Sequence, residues 1–266
     1  MRKFISSLKI PAGAFAKYSP SGQNAMRYVN FCHIMQNLER DPFKIAVINY
    51  DDNNNSVVRI AETPDEIYFN TSWNPIFGAS GWPLGNCIIT TNPNITLVAC
   101  VADACAVYFH DKAETFIGIA ILNTTTIIDQ NLIEKIVTAA KTYCKPEDLM
   151  IELSPHICPQ HLRNKYDIVA RFLHEGSYED NGDEYIKINL RKEIESCFED
   201  VGIKPENIVP IYQNEYMYSC CSKHEKGAYM WSSTSREKRY DKEKRKFINT
   251  AEYNVLLCWK EDKKDA

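Results

Sequence analysis

Residues 97–109 read LVACVADACAVYF, and this stretch decides the fold. Two apolar runs, Thr96 to Val101 and Ala106 to Phe109, flank a short polar interruption at Asp103. Continuous apolar runs of this length are typical of strands buried on both faces. An acid and a thiol between two such strands, here Asp103 and Cys105, are weak candidates for catalytic residues.

Strand and helix patterns alternate outward from this stretch. Apolar residues at helical spacing predict a helix from Ile128 to Tyr143, and Pro146 ends it. Further helices are predicted at Tyr166–His174 and Leu190–Val201. Strands are predicted at Lys44–Asn49, Ser56–Ile60, Cys87–Thr90, Thr115–Leu122, Leu149–Leu153, Ile208–Tyr212 and Glu252–Trp259. Because these elements interleave without a linker or repeat, the sequence predicts an α/β (α+β) sandwich, with mixed sheets covered by helices, as a single domain over residues 1–266.

The composition excludes several classes of protein. The chain is 44% apolar and 25% charged with a net charge of −4, which argues against a nucleic-acid partner. Its apolar runs are shorter than the roughly 18 residues of a membrane span, and its first residues do not form a signal peptide. We therefore expect no membrane association and a cytoplasmic location. The ten cysteines include no CxxC pair and are expected to be reduced, mostly as core thiols.

From residue 86 to residue 259 the chain resembles the bacterial laccase-domain proteins. These are also described as the multicopper polyphenol oxidase type and as purine nucleoside phosphorylases of that type. Segments similar to the family's ADC, HxGWRG, GPxIC and FFSxRR motifs, and to two helices between them, occur in the family's order. They are Asn86–Thr90 with Pro93 and Val101-Ala102-Asp103, then Ile117-Gly118-Ile119, then Lys145–Leu149 with Ser154–Cys158, then Asp167–Phe172 and Asn189–Ile208, and finally Trp231-Ser232 with the charged run after it.

The resemblance implies the laccase-domain fold and a zinc ion held by one Cys and two His in a surface cleft. In the family, that metal activates phosphate or water against a purine nucleoside. The implied activities are phosphorolysis of adenosine and inosine, deamination of adenosine and, in older descriptions, copper-dependent phenol oxidation. A purine nucleoside or phosphate in the family cleft is therefore the ligand that the resemblance implies.

The implied ligand positions do not carry ligands in this sequence. The family's Cys falls on Ala104, the His of HxGWRG falls on Ile121, and the remaining His falls in the turn Asp51-Asp52-Asn53-Asn54. A catalytic zinc normally needs three protein ligands and one open position. Cys105 is adjacent to Ala104, but successive residues of a strand point to opposite faces, so only a bulge or register slip would bring its thiol to the ligand position. We therefore expect no metal at the family positions.

Two other groups of residues have the chemistry of metal ligands. His156, Cys158 and His161 form an H-x-C-x-x-H cluster in a proline-bearing loop, and these residue types suit zinc or copper. The same pattern also fits a loop whose Cys158 packs inward beside two incidental histidines. Cys220-Cys221 with His224 is a further group of soft ligands, which we interpret as loop or core residues.

Two more candidates rest on reactivity and charge. Cys105 with His110 and Asp103 could form an activated thiol, although the odd offset along a strand points Cys105 and His110 to opposite faces. The charged run from Arg236 to Lys246 mixes both signs, which predicts a solvated helix face. Arg236 is the candidate there for binding phosphate or an acidic partner.

Three functional hypotheses follow. The first is a non-catalytic relative that kept the fold, lost the zinc site and binds a small ligand or a protein without a cofactor. The second is an active purine nucleoside phosphorylase or polyphenol oxidoreductase, with zinc or copper in a site rebuilt around Cys105 or the His156 cluster. The third is a protein-interaction module without a ligand. Metal content and nucleoside turnover separate the first two, and stabilisation by nucleosides and phosphate separates the third. All three leave the oligomeric state open.

Overall fold

The computed structural model describes residues 1–11, 33–42, 44–48, 58–62, 85–128, 131–165, 173–180, 182, 184–213, 217–221, 233, 238–241, 246–249 and 252–261. Within these residues the strands are β1 (Arg2–Pro11), β2 (Ile45–Val47), β3 (Val58–Ile60), β4 (Cys87–Thr90), β5 (Thr96–Val101), β6 (Cys105–Asp111), β7 (Ile117–Leu122), β8 (Leu149–Leu153), β9 (Arg163–Lys165), β10 (Tyr178–Glu179), β11 (Tyr185–Ile188), β12 (Ile208–Pro210), β13 (Lys238–Asp241), β14 (Lys246–Asn249) and β15 (Glu252–Trp259). The helices are α1 (Thr124–Ile128), α2 (Leu132–Ala140) and α3 (Leu190–Asp200). Residues 33–37 are also helical.

Two mixed sheets form the centre of the molecule. The larger has the strand order β12-β8-β6-β7-β4-β3, and the smaller has the order β1-β15-β5-β2. In the larger sheet β6 runs antiparallel to both of its neighbours, while β12 pairs with β8 and β3 pairs with β4 in parallel. In the smaller sheet β15 runs antiparallel to β1 and β5. Smaller sheets with the orders β10-β11-β9 and β13-β14 complete the described strands.

The larger sheet is buried on both faces, as the apolar runs predicted. Ala106, Tyr108 and Ile119 pack against the smaller sheet, in a cluster that we call the inter-sheet core. Val107 and Phe109 point the other way, into a cluster with the helices that we call the helix-side core. The alternation along β6 follows from the period of two in a strand. The resulting order of layers is small sheet, large sheet and helices, which agrees with the predicted sandwich.

The helices cover one face of the larger sheet through their apolar sides. Buried residues of α2 and α3 belong to the helix-side core. The helix predicted from 128 to 143 corresponds to α2, which begins at Leu132 after Asn131, whose φ of 49° is left-handed, and ends at Ala140. The helix α1 was not predicted. The Asn189 side chain accepts a hydrogen bond from the backbone N–H of Lys192 and caps α3. Gly202, with φ +92°, follows the end of α3.

Among the described residues no helix combines the length and the apolarity that a membrane crossing would require.

One further sequence prediction is corrected by the described elements. The charged run is not a helix face, since β13 and β14 pair as an antiparallel ribbon with Tyr240 opposite Phe247. The backbone pairing of the two strands, which sequence propensity does not reveal, therefore outweighs the helix propensity of the Lys and Glu residues. The predicted helix Tyr166–His174 lies mostly outside the described residues, and residues 173 and 174 are not helical. The strands β1, β9, β10 and β11 were not predicted.

Candidate functional site

The turn between β5 and β6 is tied to two distant segments. Asp103 occupies the left-handed region with φ 81° and is 7% exposed. Its carbonyl oxygen accepts a hydrogen bond from the backbone N–H of Ile157 at 2.9 Å. Its side-chain Oδ1 accepts one from the hydroxyl of Ser219 at 2.7 Å. Asp103 therefore acts as a junction that positions the loop after β8 and residues 217–221.

The two segments also bond to each other. The His156 N–H donates to the Met217 carbonyl at 2.9 Å, and the Ser219 N–H donates to the His156 carbonyl at 2.7 Å. This is an isolated parallel bridge between His156 and Tyr218. The Ser154 hydroxyl oxygen accepts from the Ala106 N–H at 2.9 Å and joins the loop to β6. These hydrogen bonds pair buried backbone groups of the loop after β8, of residues 217–221 and of β6. They hold the three segments in fixed positions, and we call this arrangement the fixed frame of the site.

The residues at the implied zinc positions offer no ligand atoms. Ile121 is 5% exposed within the inter-sheet core, and the partly buried Ala104 packs against the same core. Both side chains therefore lie on one side of the larger sheet and are purely aliphatic. A zinc ion held by Cys and His does not fit these two positions. The turn from Asp51 to Asn54 lies outside the described residues.

Cys105 lies on the opposite side of the sheet from Ala104. Its side chain is fully buried in the helix-side core, and its thiol lies 3.7 Å from the Ser154 carbonyl oxygen, to which it donates. Burial raises the pKa of the Cys105 thiol to about 12. The Cys105 thiol therefore lies away from the family position, on the face that the alternation argument predicted, and it does not ionise near neutral pH.

Cys105 and His110 do not form a nucleophile and base. They lie on opposite faces of β6, with Cys105 in the helix-side core. The His110 Nδ1 lies 2.8 Å from the Asp111 carbonyl oxygen, and its Nε2 lies 3.7 Å from Glu152 Oε1. Burial lowers the pKa of His110.

Cys158 and His161 of the loop after β8 meet Cys220 and Cys221. The four ligand atoms all lie within 4.8 Å of one another, and we call this group the thiol–imidazole cluster. The Cys158 sulfur lies 2.9 Å from His161 Nδ1 and 3.3 Å from the Cys221 sulfur. The Cys221 sulfur lies 3.5 Å from the Cys220 sulfur and 3.6 Å from His161 Nδ1. Cys158 and Cys220 are buried, whereas His161 and Cys221 are exposed, so the cluster lies at the surface.

The cluster concentrates negative charge on one sulfur. Hydrogen bonding from the Cys220 side chain, aided by His161 and Cys221 and opposed by burial, lowers the pKa of Cys158 to about 4. The pKa of Cys220 is raised, because its proton is held by the hydrogen bond to Cys158 and the group is partly buried. A thiolate beside two further thiols and an imidazole is the donor set of a soft or borderline metal ion.

His156 does not join the cluster, although the sequence grouped it with Cys158 and His161. Its Nδ1 lies 2.9 Å from the Ser154 carbonyl oxygen, and its ring packs edge-on to Tyr218. Burial lowers the pKa of His156 to about 4, so the ring is neutral at pH 7. Cys220 and Cys221 complete the cluster in its place. The signal for them in the sequence was that two soft ligands are adjacent. Arg236 lies outside the described residues.

A second group with ligand chemistry is a network of charges instead. His174 Nδ1 lies 3.1 Å from the buried Glu193 carboxylate, and His174 Nε2 lies 2.8 Å from Asp200 Oδ2. The Cys197 thiol donates to the same Glu193 oxygen at 3.4 Å. Hydrogen bonding to Asp200 first, then to Glu193, raises the pKa of His174 against the effect of burial. Because both ring nitrogens already face carboxylates, this group fastens residues 173–177 to α3.

Comparison with known proteins places the chain beside one family. Residues 32–229, well over half of the chain, match the family described as multi-copper polyphenol oxidoreductase laccase. No curated protein matches the sequence.

Solved structures share the fold along nearly the whole chain. YlmD from Geobacillus stearothermophilus has a TM-score of 0.70 at 14% identity, covering 97% of this chain and 91% of its own. The hypothetical protein YfiH from Bacillus licheniformis has a TM-score of 0.68 at 15% identity, covering 95% and 89%. A protein from Neisseria meningitidis has a TM-score of 0.64 at 15% identity, covering 96% and 90%. Identities this low show a common fold alone.

Proposed function

Because the chain belongs to the multi-copper polyphenol oxidoreductase laccase family, we propose that it is a member that kept the fold and acts by binding, without the family's zinc-dependent nucleoside chemistry. One observation carries the proposal. Ala104 and Ile121, at the implied Cys and His positions, supply only aliphatic atoms to the inter-sheet core.

The Cys105 thiol does not replace the missing zinc ligands. Cys105 points into the helix-side core, and its pKa is raised to about 12 by burial. At pH 7 the thiolate fraction is on the order of one in 10⁵, which is too small for a nucleophile. Moving the thiol to the other face would require a register change in β6, and every cross-strand pair with β7 and β8 would change with it.

We further propose that the ligand is a purine nucleoside or phosphate, bound beside Asp103 where the loop after β8 meets residues 217–221. We call this place the loop edge. Family membership and the fixed frame of this edge support the proposal, because a preformed site binds without a large ordering cost. We also propose one domain and a cytoplasmic location. The nine described cysteines are all thiols, as a reducing compartment would keep them.

The test combines turnover with binding. The purified chain is assayed for phosphorolysis of inosine and adenosine, for deamination of adenosine and for phenol oxidation, with and without added zinc or copper. We expect no chelator-sensitive turnover, and a rise in melting temperature with adenosine, inosine or phosphate. Turnover that a chelator abolishes would overturn the non-catalytic assignment. No stabilisation by any of these ligands would instead favour a module that binds only protein.

A matched pair of variants locates any activity. Cys105→Ser and Cys87→Ser each remove a fully buried thiol from the helix-side core. Turnover lost only with Cys105→Ser would show a site rebuilt around that thiol.

A second candidate function is supported by the thiol–imidazole cluster. Cys158, His161, Cys220 and Cys221 could hold zinc or copper in an active relative with a relocated metal. Four protein ligands fill a tetrahedral ion, however, whereas a catalytic zinc keeps one position open. Turnover that depends on Cys221 and not on Cys105 would establish this candidate in place of the first.

A further inference from the structure

We propose that Cys158, His161, Cys220 and Cys221 form a structural zinc site that fastens residues 217–221 to the loop after β8. The proposal goes beyond the non-catalytic assignment, because it gives these four side chains, which lie at none of the implied zinc positions, a metal with a structural role. It rests on the distances within the cluster, on its donor atoms and on the bonds that support them.

Four of the six distances between ligand atoms are close to those of a tetrahedral site, and the other two, both from the Cys220 sulfur, lie within 4.8 Å. Zinc–sulfur bonds of about 2.3 Å and zinc–nitrogen bonds of about 2.0 Å place two sulfurs about 3.8 Å apart and a sulfur about 3.5 Å from a nitrogen. The Cys158–Cys221 and Cys220–Cys221 sulfur distances are 3.3 and 3.5 Å. His161 Nδ1 lies 2.9 Å from the Cys158 sulfur and 3.6 Å from the Cys221 sulfur. Movements of a few tenths of an ångström in these side chains would therefore admit the ion.

The donor set selects a class of metal. Three sulfurs and one imidazole nitrogen are the Cys₃His set of structural zinc sites, and such a set excludes Mg²⁺ and Ca²⁺, which prefer oxygen. Three thiolates also supply more than enough charge to neutralise a divalent cation. The exposed His161 and Cys221 leave an entry path for the ion from solvent.

The backbone supports the ligands. The Cys158 N–H donates to the Cys220 sulfur at 3.2 Å, a bond of the kind that orients and stabilises a metal-bound thiolate. Ser219, the residue before Cys220, bonds to the His156 carbonyl through its N–H and to Asp103 through its hydroxyl. Ligands from both segments are thus held in place by groups other than the metal.

A metal at this position would act as a cross-link. Cys158 and Cys220 are far apart in the sequence, and the bridge between their segments is the isolated His156–Tyr218 pairing. An ion bound only by the folded chain stabilises it by about 4 kcal/mol at a free concentration of 1,000 Kd. The site would therefore hold the loop edge beside Asp103 together whether or not that edge carries out a reaction.

The test measures metal directly. The full-length protein is purified without chelators, its zinc content is measured, and the apoprotein is titrated with zinc and with cobalt. We expect one zinc per chain, thiolate-to-cobalt charge-transfer absorption with the intense visible bands of tetrahedral cobalt, and a higher melting temperature with zinc. A chain that takes up neither metal, or cobalt spectra without thiolate bands, would overturn the proposal.

Variants assign the ligands. Cys221→Ser and His161→Gln change exposed members of the cluster and should weaken zinc binding at least 100-fold, since loss of a direct ligand exceeds the 10–100-fold effect of losing an outer-shell partner. Cys144→Ser, a half-buried thiol outside the cluster, and His33→Gln, an exposed histidine, are the controls and should bind zinc like the unchanged chain. Equal zinc affinity in Cys221→Ser and Cys144→Ser would place the metal elsewhere and refute the site. Because zinc content is measured apart from turnover, failure of this proposal and failure of the non-catalytic assignment are distinguishable.

Discussion

Three substitutions of Asp103 should lower the free energy of unfolding by different amounts. Two separate effects set these amounts, one of the backbone and one of the side chain. Its φ of 81° favours residues that tolerate the left-handed region, and its carboxylate accepts the Ser219 hydroxyl at 2.7 Å in a buried setting. Asn keeps both the tolerance and an acceptor oxygen. Gly keeps the tolerance alone, and Ala keeps neither.

The magnitudes follow from these losses. A hydrogen bond to a charged group contributes about 1.5–3 kcal/mol, and a neutral one contributes about 1 kcal/mol. A residue without left-handed preference costs a further 1–2 kcal/mol, roughly. We therefore expect the free energy of unfolding to fall by about 1 kcal/mol in Asp103→Asn, about 2 kcal/mol in Asp103→Gly and about 3–4 kcal/mol in Asp103→Ala.

Urea denaturation followed by circular dichroism measures the three values, and the melting temperature should fall by roughly 2–4 °C per kcal/mol. Ser219→Ala supplies the control, because it removes the hydroxyl and leaves the backbone conformation of residue 103 unchanged. Combined with Asp103→Ala, it should cost less than the sum of the two single changes. Equal losses in Asp103→Gly and Asp103→Ala would refute the backbone argument. An Asp103→Asn variant as unstable as Asp103→Ala would refute the hydrogen-bond argument.

Four further outcomes are expected. Gly118→Ala should lower the free energy of unfolding by about 1–3 kcal/mol, because the new Cβ would clash with the Phe109 ring. The cost should shrink in a Phe109→Leu background, and urea midpoints showing equal costs would contradict this. His174 has a raised pKa in the folded chain, so the stability it contributes is complete below about pH 6.5 and is lost as the pH rises through the raised value. Between about pH 6 and pH 8 the urea midpoint should therefore change less with pH in His174→Gln than in the unchanged chain. An equal dependence on pH in the two proteins would contradict this. Ile121→His should destabilise the inter-sheet core by roughly 2 kcal/mol or more without adding bound zinc, as melting curves and metal analysis would show; a stable variant with extra zinc would contradict it. Cys105, fully buried with its pKa raised to about 12, should resist alkylation at pH 8 until the chain unfolds, and mass spectrometry that finds it modified in the folded chain would contradict this.

The central strands could be predicted because their signal is local. The bounds predicted for β4, β5, β8 and β15 agree with the structure, since each is a continuous apolar run or ends at a turn. The start of α2 at Leu132 could not be predicted, because it depends on a left-handed residue, Asn131, within an otherwise helical pattern.

The candidate site could be predicted only in part, for a different reason. The pattern around Cys158 and His161 grouped two members of the thiol–imidazole cluster, because they lie three residues apart in one loop. Cys220 and Cys221 could not be added from the sequence, since tertiary hydrogen bonds, such as those of His156 with Met217 and Ser219, bring them to Cys158. Alternation along β6, by contrast, correctly placed Cys105 away from Ala104, because a period of two needs no tertiary information.

The position of β15 has a consequence for synthesis of the chain. β15 lies between β1 and β5 in the smaller sheet, so Arg2 pairs with Trp259 and Val98 with Leu257. During translation β1 leaves the ribosome long before β15, and among the described strands it has no partner in this sheet until residues 252–259 have followed it. At about 5–20 residues per second, β1 and the free side of β5 wait for seconds to tens of seconds as open strand edges. The nascent chain should therefore depend on chaperones over this interval, and one that stops before β15 should aggregate rather than fold.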